Sequence, residues 1–392
     1  MAMALTAMAA CSSATETGTG GATPAAGSSP VTTLAATMTT TAAATTTTRP
    51  LRTFTVAGVG DILSHGTLIA QANRRAGGKG YEMDSMFAEV RPQLSAADLA
   101  ICHQETPISA DNTELTKPMT ISFNAPTELA AALKNAGFDG CSTASNHTWD
   151  RNLRGVRQTI DVLEAAGIKP SGSSRTAEEA PQPPIHDVKG VKVGHLAYTY
   201  TIYNDGGPST AVPPEAPWLK NFLWPAIGAE GILTQARALK ARGAEFVIAS
   251  MHWGDQYVRT PNAQQRSIAK QLLESPDVDL ILGDHVHVVQ PCEKIGNKYV
   301  VYGMGNFVSN QSPSQDRSLT LDNEDGTVNT FTIAEVSPGT FATTSLVVTP
   351  THVQQPNHVV QPVTPASDPG SYNRTQAAIT ALGPACDVTL AS

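Results

Sequence analysis

Charged and aromatic side chains are both scarce in this chain. Only 15% of its 392 residues are charged and 5% are aromatic. Lysine and arginine number 26 against 34 aspartate and glutamate, a formal net charge of −8. The basic footprint that broad nucleic-acid binding needs is missing, so nucleic acid is excluded as a partner. No run of 18 apolar residues occurs, and no transmembrane helix is expected. The five cysteines, Cys11, Cys102, Cys141, Cys292 and Cys386, show none of the spacing of a zinc finger.

The N-terminal region is poorer still in charge. Residues 1–50 contain Glu16 and Arg49 as their only charged side chains, and residues 11–50 hold 18 Ser and Thr. Such a stretch buries too little apolar surface to offset its ordering entropy, so residues 12–50 read as a disordered Ala/Thr/Ser-rich linker. Residues 1–11 read as the remnant of a lipoprotein signal: a short apolar run, small residues, then Cys11, with no Lys or Arg ahead of it. On that reading Cys11 carries a lipid, which is the chain's one membrane contact, and the protein is exported, either held at the cell surface or secreted. An ordinary Ala-rich N-terminus is the plainer alternative. The other four cysteines are an even number, which permits disulfides in an exported protein. Cys102 and Cys141 end neighbouring predicted strands, either bonded or as buried thiols, and a Cys292–Cys386 bond would tie the C-terminal tail to the core.

From residue 51 the pattern becomes α/β. Alternation predicts strands over residues 52–60, 98–105, 138–145, 191–200, 246–253, 279–283 and 298–302. Amphipathic spacing predicts helices over 127–136, 152–166, 229–242 and 263–274, the first three stopping at Gly137, Gly167 and Gly243. Strands alternating with helices of this length imply sheets covered by helices. Residues 320–365 read as β-rich, and the Pro/Gly-rich segment 203–226 reads as a long loop, a lid or a binding edge.

Polar residues gather at the predicted strand ends. Asp61 follows the first strand, with His65 four residues on. Glu105 closes the second, Asn146-His147 the third with Asp150 just beyond, and His252 the FVIASMHW strand. His285 and His287 follow DLILG. Taken singly, each has a plain structural explanation: a satisfied histidine, a turn aspartate, a helix-capping asparagine. Together they form an N/O donor set suited to Zn, Mn or Fe, at the edge where α/β sheets bind ligands. An i, i+2 pair in extended backbone would turn both imidazoles of His285-Val-His287 to one side.

The ordered motifs Gly60-Asp61, Glu105-Thr-Pro107, Ser145-Asn146-His147 with Asp150, His252-Trp253-Gly254, Gly283-x-His285-x-His287-Val-Val-Gln-Pro291 and Gly305-Asn306-Phe307 resemble the CapA family. This is the capsule-synthesis, poly-γ-glutamate biosynthesis family within the calcineurin-like metallophosphatase superfamily. The resemblance spans about residues 52–310. It implies a four-layer α/β/β/α metallophosphatase-like sandwich over 51–310, while residues 311–392 read from their own pattern as a β-rich extension packing on the core. It also implies two divalent metal ions (Mn, Zn or Fe). Carried over by motif, Asp61 and His287 would bind the first metal, Glu105 would bridge, and Asn146, His252 and His285 would bind the second. His147 would act as general acid, or as a transition-state donor, oriented by Asp150.

Three departures from the family pattern stand out. The superfamily's opening Asp-x-His is here Asp61-x3-His65, so His65 either ligates or lines the pocket. The family's Asn-Leu before the glutamate is His103-Gln104, which makes His103 an extra candidate ligand. A Glu-Tyr pair after His-Trp-Gly is Gln256-Tyr257. Three functions fit the ligand set: a metal-dependent hydrolase acting on a phosphoester or a γ-glutamyl amide, a non-catalytic accessory subunit that binds an anionic polymer beside membrane-bound synthase or export subunits, or a structural metal protein.

Overall fold

A computed structural model describes residues 49–391. Cys11 and the Ala/Thr-rich segment that follows it lie outside the described residues. From Pro50 onward the chain forms one unit built on two sheets.

The first four strands are β1 (Thr53–Ile62), β2 (Leu99–Gln104), β3 (Gly140–Ser142) and β4 (Lys169–Ser171). The second sheet is made by β5 (Ile185–Val188), β6 (Val191–Thr199), β7 (Phe246–His252), β8 (Leu280–Asp284), β9 (Cys292–Ile295) and β10 (Lys298–Val301), in the order β5-β6-β7-β8-β10-β9. The chain then returns to the first sheet with β11 (Asn306–Val308), β12 (Asp325–Ser337), β13 (Thr340–Gln354), β14 (Val359–Pro362) and β15 (Thr389–Leu390). Its path is β14-β13-β12-β1-β2-β3-β4, with β11 beside the end of β1 and β15 beside β13. The C-terminal strands are thus integral to the first sheet. Antiparallel β12 lies against β1 from Thr53↔Ala334 to Val59↔Val328.

Period-2 alternation explains the layering. Along β1, Ala57 and Val59 point to one face and Phe54 and Val56 to the other. The outer face packs on α1 (Gly66–Arg75), α2 (Arg91–Ser95), α3 (Glu128–Ala136) and α4 (Asn152–Ala165), through Leu68, Leu94, Leu129 and Leu163 among others. The inner face meets the second sheet, where Val56 and Ile101 share a cluster with Ile248 and Leu282. The two sheets come close: a Cβ on Gly58 would sit 2.9 Å from Leu282 Cδ2. On the far side of the second sheet lie α5 (Trp224–Ala241) and α6 (Ala263–Glu274), with Ile232, Leu239, Ala269 and Leu272 over Val247 and Ile281. The order is helix, sheet, sheet, helix, an α/β sandwich of four layers. A final helix, α7 (Pro369–Ile379), brings Ala378 and Ile379 into the inter-sheet cluster.

Several elements match their sequence signals. Helix α6 spans the expected residues and opens on an Asn262–Gln265 capping box. In α5 the backbone is non-helical at Gly228 (φ 64°), so the helix proper begins where its amphipathic spacing does. The helices α1, α2 and α7 were not expected. Two disulfides, Cys102–Cys141 and Cys292–Cys386, close the cysteine question. The first joins directly paired residues of β2 and β3, so the strand-end reading holds in its bonded form.

Candidate metal centre

The C-terminal ends of β1, β2, β7 and β8 converge at one edge of the two sheets. Strand pairing sets Asp61 beside His103 and His252 beside Asp284. Asp61 is held in place by backbone geometry, its N–H donating to Gly305 O at 3.0 Å. Gly60 makes this approach feasible, because a Cβ there would lie 1.9 Å from the same oxygen.

Two sets of ligand-type atoms gather here, each within 4.8 Å of one another: Asp61, His103 and His252, and Glu105, His285 and His287. All six are buried, at 3% exposure or less. The sets are joined. His287 Nδ1–H donates to Asp61 Oδ2 at 3.0 Å and to Asn306 Oδ1 at 3.1 Å, while its Nε2 lies 3.9 Å from Glu105 Oε1. The backbone N–H of His285 donates to Asp61 Oδ1 at 3.1 Å. Asn146 Oδ1 lies 2.8 Å from His252 Nε2, and its amide nitrogen donates to Asn204 Oδ1 at 3.0 Å. The Tyr200 ring covers His285 and His252, with centroids 4.5 and 6.0 Å away.

His65 stands apart from both sets. It is the N-cap residue of α1, and its Nδ1–H is turned back onto Leu63 O at 3.0 Å. Its ring packs on Phe123, which in turn packs on His147. Relative to Asp-x-His, two extra residues separate the aspartate from the histidine and carry the imidazole past the strand end to the helix start, outside both gathered sets.

The backbone of His285 and His287 also differs from expectation. Both have positive φ, 90° and 57°. They lie in a tight turn after β8, where no i, i+2 alternation operates. A positive φ is costly for residues with a Cβ and collects at functional sites. The two rings still reach the same space, their centroids 6.0 Å apart.

Burial controls the protonation of the site. It pushes His285 down to about 3 and His103 down to about 4, the latter against the pull of Asp61. It also drives His252 well below the usual histidine range. For Glu105, burial and then the nearby Asp61 charge push the carboxyl well above the ordinary range, and the same two causes raise Asp284. Burial acts on Asp61 in the same sense, yet the His287 hydrogen bond holds it below its ordinary value. Of the three carboxyls, Asp61 is thus shifted toward its charged form and Glu105 and Asp284 toward their neutral forms, the pattern expected of like charges at close range.

These residues fit divalent cations. Both oxygens of Glu105 and of Asp284, both nitrogens of His103, and Nδ1 of His252 and His285 are buried without a hydrogen-bond partner. Among the described residues, the ion pairs of Asp61, Glu105 and Asp284 are with histidines alone. Leaving so many polar atoms unpaired costs several kcal/mol unless a cation joins them. Neutral imidazoles and carboxylates are the donors that Zn, Mn and Fe accept.

Beside the donors, His147 and Asp150 form a separate pair, with Nδ1 2.9 Å from Oδ2. Asp150 Oδ2 also accepts from Phe123 N at 2.6 Å. Asp61, Glu105, Asn146, His147, Asp150, His252, His285 and His287 therefore lie in this region, with His65 at its margin through Phe123. Sequence reasoning overlooked Asp284, whose Gly-Asp dipeptide reads as turn chemistry, although it ends an apolar strand just as Asp61 does. It also overlooked Asn306 as a partner of His287, though the Gly-Asn-Phe motif marked it.

The family model described as bacterial capsule synthesis protein PGA_cap matches residues 55–311. The capsule biosynthesis protein CapA of Bacillus anthracis is 26% identical over 68% of this chain and 62% of its own length. The PGA biosynthesis protein CapA of Bacillus subtilis is 25% identical over 67% of this chain and 65% of its own length. In both, the match spans less than two thirds of the relative. Among solved structures, the calcineurin-like phosphoesterase YfkN of Bacillus subtilis aligns with a TM-score of 0.46 at 14% identity, over 84% of this chain and 97% of that one.

Proposed function

The chain belongs to the bacterial capsule synthesis family, and from that premise we propose that it is a metal-dependent hydrolase with a binuclear centre, acting on a phosphoester or a γ-glutamyl amide. The observation that carries this reading is the pairing of two buried donor sets with a separate His147–Asp150 couple at their edge. A structural metal site needs only the donors; an adjacent histidine fixed by a carboxylate suits proton transfer.

Two divalent cations, when bound, neutralise a phosphate-like or tetrahedral oxyanion and acidify water beside it. The chain's own residues do the rest. Asp150 accepts the Nδ1 proton of His147, which fixes the tautomer and leaves Nε2 to exchange a proton with the leaving oxygen or nitrogen. The carboxylate also stabilises the imidazolium that forms. Phe123 holds the imidazole edge-on, its ring centroid 4.6 Å away, and restricts its rotation. Asn204 fixes the Asn146 amide so that its oxygen faces inward. Tyr200 shields His252 and His285 from water.

The relatives' names connect this family to capsule and poly-γ-glutamate biosynthesis, which supports an anionic polymer of that kind, or a phosphoester precursor, as substrate. Two disulfides support an oxidising compartment, in keeping with export and with a lipid on Cys11. The test uses the full chain loaded with Mn²⁺ or Zn²⁺. Turnover of an aryl phosphodiester, or shortening of poly-γ-glutamate seen by size-exclusion chromatography, is the expected result. Full metal occupancy with neither activity would overturn the hydrolase reading in favour of an accessory, polymer-binding role.

A further inference from the structure

Two side chains at the heart of the centre have no task in the chemistry above. His103 comes from β2 and Asp284 from β8, so they face each other from different sheets. Each is 1% exposed, and His103 Nδ1 lies 3.6 Å from Asp284 Oδ2. The other imidazole nitrogen, Nε2, lies 3.8 Å from Asp61 Oδ1. Neither His103 nitrogen and neither Asp284 oxygen has a hydrogen-bond partner. Four unpaired polar atoms at one point of a dense inter-sheet layer are a poor structural choice, since apolar side chains would fill the space without them.

The arrangement has a direction. A neutral imidazole donates from one nitrogen and offers a lone pair from the other. With Asp284 ionised, as cation loading requires, the carboxylate facing Nδ1 favours the tautomer whose Nε2 lone pair faces Asp61. Ligand atoms around one tetrahedral cation, at bond lengths of about 2.1 Å, stand roughly 3.4 Å apart, which is comparable to the spacing of Nε2 and Asp61 Oδ1. The His103 ring stacks on His252 at 4.7 Å, and those two with Asp61 form one of the gathered sets. Meanwhile His65, the other candidate partner of Asp61, lies outside both gathered sets.

We propose that His103 is a cation ligand through Nε2, completing the position opened by Asp61 and His252, and that Asp284 is its positioning residue. The carboxylate–histidine–cation relay then runs across the two sheets, from β8 through β2 to β1. It rests on the metal reading of the preceding subsection but not on any hydrolytic activity.

Cobalt(II) titration of the full chain tests it, with visible absorption, equilibrium dialysis and metal analysis as readouts. Wild-type protein binds two equivalents. His103→Ala retains one, and its absorption loses the contribution of the other. Asp284→Asn retains two, one of them weakened about 10–100-fold. In metal-free protein, Asp284→Ala unfolds at a temperature no lower than wild type, because a ligand-orienting carboxylate without its cation contributes nothing to the fold; a structural carboxylate would show a clear drop. If His103→Ala still binds two equivalents at wild-type affinity, or Asp284→Asn leaves both affinities unchanged, the assignment is wrong while the metal reading survives. If wild type itself binds no cobalt, both fall together. Should His103→Ala fail to fold by circular dichroism, His103→Gln and the near-isosteric Asp284→Asn decide the question with the same readouts.

Discussion

His147 and Asp150, three residues apart, form a short contact: Nδ1 stands 2.9 Å from Oδ2. The same carboxylate oxygen takes the backbone N–H of Phe123, and that ring packs against the His147 imidazole. The imidazole is thus clamped at its edge and at one nitrogen, with the other nitrogen left for chemistry.

If this pair moves protons and does not hold cations, removing Asp150 leaves the metal content intact and slows turnover. Asp150→Asn is expected to lower kcat on an aryl phosphodiester about 10–100-fold, and His147→Asn about 100-fold or more. Both variants bind the same number of Mn²⁺ equivalents as wild type. Loss of a cation equivalent in either would move His147 into the ligand set.

Loading the centre displaces protons. Burial, together with the Asp61 charge, keeps Glu105 and Asp284 protonated above their ordinary range, whereas buried His103, His252 and His285 are already neutral. Cations require carboxylates, so the protons that leave come from the carboxyls and not from these histidines. Calorimetry of Zn²⁺ binding near pH 6, repeated in buffers of different ionisation enthalpy, is expected to show about one to two protons released, with affinity rising roughly tenfold per pH unit for each. Affinity independent of pH would mean that the carboxyls are already ionised.

Strand positions and the residues that end strands were legible in the sequence wherever one local rule sufficed. Alternation defined β1, and the Asn262–Gln265 box with amphipathic spacing defined α6. Where several local signals were weak, the elements went unseen. Helix α1 has no side-chain cap and no acidic residue in its first turn, and α7 follows a β-rich, Pro-rich stretch. The roles of His103 and Asp284 depend on which strand faces which across the sheet interface, a relation among residues 181 positions apart that no spacing rule carries. The positive φ values at His285 and His287 are likewise imposed by tertiary packing, because isolated residues of this type avoid that conformation.

The Cys292–Cys386 bond fastens the C-terminal tail, whose β15 adds to β13 in parallel at Val347↔Thr389. It closes a segment with a sequence separation of 94. Cross-links of that span stabilise mainly by restricting the unfolded chain. The Cys292→Ser, Cys386→Ser double variant is therefore expected to lose about 2–4 kcal/mol in urea unfolding. A change within error would mean that the tail's packing alone holds it.

The last prediction concerns a histidine outside the ligand sets. His352 on β13 stands with Nδ1 3.1 Å from Asp325 Oδ1 and Nε2 3.6 Å from Glu324 Oε2. Burial acts to lower its pKa, but the hydrogen bond and charge of Asp325, then the charges of Glu324 and Asp368, outweigh burial and raise it. Arg374 faces the same Asp325 carboxylate, with Nε 2.7 Å from Oδ2, and moderates the attraction without cancelling it. A histidine with a raised pKa in the folded state binds its proton more tightly there than in the unfolded chain. Its stabilisation is therefore complete below the unfolded value of about 6.5 and disappears as pH rises through the folded value. In metal-loaded protein the contribution of His352 to the unfolding free energy is expected to fall between about pH 6 and pH 8.5, opposite in sign to the contributions of buried His186, His195 and His358, whose pKa values burial lowers. His352→Gln should flatten that slope and bring the stability at pH 6 toward its value at pH 8.5. An unchanged slope in the variant would assign the pH dependence to other groups and leave Asp325 satisfied by Arg374 and Ser371 alone.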